Sequence, residues 1–200
     1  MRTFVVMLVV CSGLIAASCQ SKPAEKVADA PGVAQPQYST TATVKDIMQG
    51  IVDPAGDLIW NSVATIIDKG GTHETVPKTD EEWAKVRSGV IMLMEGSNSL
   101  MIPGRHVAKP GEKSDTPGVE LEPSEMEALI NKDRAAWYMR AKRLHDVGES
   151  LLAVVEAKDA KKLFDVGEDV DEACENCHKQ YWYPNEKIPD VPAAAEPAKK

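Results

Sequence analysis

Aromatic side chains are scarce: only 5% of the 200 residues are Phe, Trp or Tyr. A sizeable core must therefore be built mostly from aliphatic residues and methionine, with room for a non-protein group. Basic residues are outnumbered, with 23 Lys and Arg against 31 Asp and Glu and a net charge of −8. That balance argues against nucleic acid as a partner, because a polyanion needs a basic surface. No apolar run is long enough to cross a bilayer. The longest, Phe4 to Ala17, is about 14 residues where about 20 are needed. No stretch alternates like a strand over a useful length. Cysteine is also sparse, with four in the chain. Cys11 sits in the apolar run and Cys19 just after it. Only Cys174 and Cys177 remain for the folded part, too few for a disulfide scaffold. The length fits one domain with tails.

The N-terminal run has the form of an export signal: Arg2, a short apolar stretch, then small residues. Ile15-Ala16-Ala17-Ser18-Cys19 resembles a bacterial lipobox, with Ala16 where Leu is usual. Residues 1–18 are expected to be a lipoprotein-type signal segment, with Cys19 lipidated and the mature protein anchored in the periplasm. A plain secretory signal is the alternative. Residues 19–41 are rich in Ala, Pro, Gln and Ser and form a flexible tether. Residues 184–200 have the same Pro/Ala-rich character and form a disordered tail. The domain is expected over 42–183.

Within it, four helical stripes stand out. The first, about 42–68, places Val44, Ile47, Met48, Ile51, Ala55, Leu58, Ile59, Ser62 and Ile66 on one face, interrupted by Pro54. Proline there either kinks the helix or sits at the first position of a new one. The second, about 80–102, opens on the capping box Thr79-Asp80-Glu81-Glu82 and carries Trp83, Val86, Val90, Leu93, Ser97 and Leu100. A long Pro-Gly-punctuated connection, 103–122, follows. The third, about 123–157, carries Met126, Ile130, Trp137, Ala141, Leu144, Leu151 and Val155, with Asp133 breaking the stripe. The fourth, about 159–181, carries Leu163, Gly167, Val170, Cys174, Cys177 and Tyr181. These stripes predict an all-α fold, an antiparallel four-helix bundle.

The chemistry lies in Cys174-Glu175-Asn176-Cys177-His178, the C-x-x-C-H pattern of covalent haem c attachment. On a helix the three residues project from one side. Each sulfur can take one haem vinyl group, and His178 is presented to the iron as proximal ligand. Two other uses of the cysteine pair are weaker. A thioredoxin-type site begins a helix in a βαβ context. A zinc site would need two of His73, His106 and His145, which show no pairing in sequence. His106 and His145 read as solvated; Trp60, Trp83 and Trp137 read as core or pocket wall.

A helical bundle with one C-x-x-C-H in its last helix resembles the cytochrome c-prime and c-556 family of class II c-type cytochromes. The resemblance covers about 42–183. Its strongest element is Cys174-x-x-Cys177-His178-x-x-Tyr181, while Trp182 stands where a basic residue is typical. It implies one haem c against the fourth helix, with the first helix over the other axial face. A Met ligand there gives a six-coordinate electron-transfer protein, and Met48 is the candidate. An apolar residue there leaves a five-coordinate haem that binds NO or CO. The expected function is electron transfer without enzymatic turnover, with redox proteins as partners. Glu168, Asp169, Asp171, Glu172 and Glu175 would favour a basic one, and a homodimer is left open.

Overall fold

The computed structural model describes residues 38–186. The signal segment, Cys19, most of the tether and the tail beyond 186 lie outside the described residues. No helix among the described residues is long and apolar enough to cross a membrane.

The chain is mostly helical, and the first helix departs most from expectation. α1 is short, Val44–Ile47, and opens on a capping box. The Thr43 hydroxyl accepts from the Asp46 amide at 3.1 Å, and the Asp46 carboxylate accepts from the Thr43 amide at 3.0 Å. Lys109 donates to the same carboxylate at 2.8 Å. Led by that bond, these contacts hold the Asp46 carboxyl down at about 2. Met48–Val52 then forms a π turn, closed by the Asp53 amide donating to the Met48 carbonyl five residues back. Pro54, lacking an N–H, cannot make an α-helical bond to the residue four before it. The wide turn absorbs that gap, and Pro54 lies in the first turn of α2, Asp53–Trp60. The extra residue rotates the face that follows. Val52, Ala55 and Ile59 are buried, whereas Leu58 is 40% exposed and Trp60 37% exposed. Trp60 is thus neither core nor pocket wall.

The expected first helix does not run on to 68. Ala64–Asp68 (β1) pairs antiparallel with Gly71–Thr75 (β2) through a Lys69-Gly70 turn. The all-α expectation is corrected to that extent. Thr65-Ile66-Ile67 is a β-branched run, stiff at χ1 and better suited to a strand. The Asp68 carboxylate accepts from the Gly70 amide at 2.7 Å, and Gly71 takes φ +120°.

α3, Asp80–Leu100, carries the capping box expected at Thr79 and Glu82. The expected third helix is two: α4, Pro123–Lys132, and α5, Arg134–Glu156. Asp133 leaves helical geometry and caps α5, accepting from the Ala136 amide at 2.9 Å. α6, Ala160–Tyr181, is capped by Asp159. α3 packs on α2 and on α5, α5 packs on α6, and α2 touches α6. Ile59, Leu93, Leu151, Leu163 and Val170, all fully buried, lie between them, each side chain stabilising by about 1.5–3 kcal/mol.

Two glycines let α2 and the π turn approach α3. A Cβ on Gly89 would stand 2.9 Å from the Leu58 Cβ and 3.2 Å from the Ala55 carbonyl oxygen. One on Gly96 would stand 2.8 Å from a Val52 methyl. Gly89→Val is expected to lower stability by about 1–3 kcal/mol through overpacking, read as a reduced urea midpoint. An unchanged midpoint would mean that α2 is not pressed against α3.

Candidate functional site

α6 runs without a break through Cys174, Cys177 and His178, so their steps of three and four put them on one side of the helix. Leu163, Val170 and Tyr181 continue that stripe into the core. Both cysteines are free thiols, and burial pushes them up, Cys174 to about 12 and Cys177 to about 11. Burial also pulls His178 below its ordinary value. The imidazole is therefore neutral at pH 7 and keeps a lone pair for a metal.

All three residues line one cavity, with about 1080 Å³ of empty space, part of it open to solvent. The π turn contributes Met48. α3 contributes Leu100; α4 contributes Met126 and Ile130; α5 contributes Trp137, Arg140, Ala141 and Leu144. Its walls are mainly aliphatic and aromatic side chains. The expected site residues Cys174, Cys177, His178 and Met48 thus line one cavity, and Met126 lines it too. Its place in the third stripe carried that signal.

The 103–122 connection closes the rest of the cavity, contributing Val107, Ala108, Lys113, Ser114, Asp115 and Glu120. It is tied at both ends. The Val44 and Lys45 amides donate to the carbonyls of His106 and Val107, each at 2.9 Å. The Leu121 amide donates to the Trp182 carbonyl at 2.8 Å. Aromatic rings hold His178 in place. Trp182 meets it edge-on with centroids 4.9 Å apart, and Tyr183 stands 5.9 Å away. The Tyr183 hydroxyl donates to Glu175 at 2.6 Å. Tyr181 packs edge-on against Trp137 at 5.2 Å, and the Trp137 indole donates to the Leu100 carbonyl at 3.0 Å.

The three remaining described histidines stand elsewhere. His73 lies 3.2 Å from Asp68 on the hairpin, and His106 lies 2.9 Å from Glu127. His145 sits 3.7 Å from Asp146, whose carboxylate already holds Lys142 at 2.6 Å. None of them lines the cavity with the cysteines, so a zinc set of the two cysteines with two of these histidines is not assembled.

The donor set fits a covalently held haem: two unbridged thiols at the attachment spacing, an imidazole beside them, and a cavity lined mainly by apolar side chains. Raised thiol values leave little thiolate, the reactive form, in the folded chain. Alkylation of Cys174 and Cys177 at neutral pH is expected to be at least about tenfold slower folded than in urea. Equal rates would mean that the thiols are not buried.

No protein-family model, curated protein or solved structure matches this chain.

Proposed function

We propose that the protein is an exported monohaem c-type cytochrome that transfers electrons. What supports this reading above all is one observation: Cys174, Cys177, His178 and Met48 line a single apolar cavity. Taking α1, the π turn and α2 as one interrupted rod, and α4 with α5 as another, we read the fold as an antiparallel four-helix bundle.

Cys174 and Cys177 would each add S–H across a vinyl group, so the attachment needs no oxidant. His178 would hold the iron from α6, and Met48 is the candidate ligand from the π turn. When bound, haem would supply a one-electron iron couple, and a thioether ligand such as Met48 would raise its potential. The residues of the chain do the rest. The apolar walls and the 103–122 strap would limit water around the group, and Trp182 packs edge-on against the imidazole. The exposed acids Glu168, Asp169, Asp171 and Glu172 on α6 would steer a basic redox protein at low salt. No substrate bond is broken, so the protein is not read as an enzyme. Periplasmic localisation and a lipid anchor at Cys19 belong to the same proposal.

The test is the mass and the visible spectrum of full-length protein expressed with haem-attachment machinery. The expected result is one porphyrin per chain and a low-spin reduced spectrum. A colourless product with the mass of the bare polypeptide would overturn the proposal.

A further inference from the structure

We propose that Arg140 is the carboxylate-binding residue of the cavity and that it takes a propionate of the porphyrin, an inference that rests on the haem reading above. The charged groups on the cavity wall are otherwise provided for. Lys45 and Asp115 pair at 2.9 Å, and Lys113 has Glu122 at 3.8 Å. Glu120 accepts from the Ser114 hydroxyl at 2.9 Å and from the Thr116 amide at 3.2 Å. Arg140 differs. Its guanidinium is half-buried, and among the described residues it pairs with no carboxylate. Its one bond is from Nε to the Gln180 side-chain oxygen at 2.8 Å.

Five N–H donors are fixed in the plane of a guanidinium, and a neutral amide here engages one. The Gln180 amide is itself held, because its nitrogen lies 3.1 Å from the Tyr181 hydroxyl. That contact turns the amide oxygen toward Arg140, so the Arg140 fork is oriented before any ligand arrives. A part-buried cation without a counter-charge is costly, and a planar fork matches a carboxylate better than any other common anion apart from phosphate. A porphyrin is a broad apolar body bearing two carboxylates. The aliphatic wall suits the body, and Arg140 is the cation left free for the acid. Arg140 also borders the outer groove between α5 and α6, beside Arg143 and Glu172. Water in that groove is the competing partner.

The test uses the full chain expressed without haem-attachment machinery, its thiols free, titrated with protohaem and with the protohaem dimethyl ester, whose carboxylates are masked. The wild-type chain is expected to prefer protohaem over the ester by about tenfold, the scale of a charge-assisted bond at a half-buried site. Arg140→Gln is expected to lose that preference and leave ester affinity unchanged, and Arg140→Lys to keep part of it. Circular dichroism checks that each variant folds. Should Arg140→Gln unfold, the wild-type comparison alone decides, because equal affinity for the two porphyrins would overturn the inference. A preference that survives Arg140→Gln would overturn it too, leaving the haem reading intact. Failure of the wild-type chain to bind either porphyrin would remove both.

Discussion

Expressed with haem-attachment machinery, the Cys174→Ala, Cys177→Ala double variant is expected to run on a denaturing gel with no bound porphyrin, where the wild-type chain carries one. The effect should be all or none. The two sulfurs stand on one side of α6 and on the wall of one cavity, and no other cysteine is found among the described residues. His178 and the apolar walls remain in the variant, so noncovalent porphyrin should still be held under native conditions. It should then be lost on unfolding. Each single variant should retain one thioether and therefore its porphyrin on the gel. Porphyrin that stays covalently bound to the double variant would mean that attachment runs through some other side chain, and Cys174 and Cys177 would lose their assigned role.

Met48→Ala is expected to convert a low-spin spectrum that ignores CO into a high-spin ferrous spectrum that takes it up. A thioether that ligates iron also closes its sixth position, and alanine can do neither. Met126 makes this a discriminating experiment, because it lines the same cavity from α4. Met126→Ala is expected to leave the spectrum low-spin. Were the two variants to exchange behaviour, the ligand would come from α4. If neither variant altered the spectrum, no methionine of this cavity would be axial. Methionine also fills gaps in ordinary cores, so the spectrum decides here and a stability loss does not.

The candidate site was easier to pick out than its surroundings, for physical reasons. Cys174, Cys177 and His178 stand out in the sequence because the pattern they match is a local helical spacing. The stripes of α3, α5 and α6 were legible because long amphipathic helices repeat their signal over many turns. The hairpin at 64–75 was not. Ile66 falls at a helical step from Ser62, and five-residue strands exposed along most of their length show no in-out alternation. The clue was the β-branched Thr65-Ile66-Ile67 run ahead of Lys69-Gly70. Asp133 was visible as a break, but its part as the cap of a second helix depends on local backbone angles. The strap at 103–122 has a Pro-Gly pair every seven residues but no hydrophobic periodicity to place it. Its place on the cavity comes from backbone hydrogen bonds to α1 and to Trp182, contacts between residues far apart in the chain. Arg140 stands three positions from Trp137, but its lack of a carboxylate partner among the described residues is a fact of three dimensions.

The π turn carries a further implication. One surplus residue at Met48–Val52 sets the angular phase of everything N-terminal to it, since each residue of a helix turns the chain by about 100°. Dropping a single residue from that loop of backbone, Gly50 for instance, would swing the preceding segment by that amount and carry the sulfur of residue 48 off the wall it now faces. Which atom confronts the cavity is thus fixed by arithmetic of chain length as much as by side-chain identity. Two descendants of this sequence differing by one codon here could diverge in ligand chemistry while every core residue stayed the same.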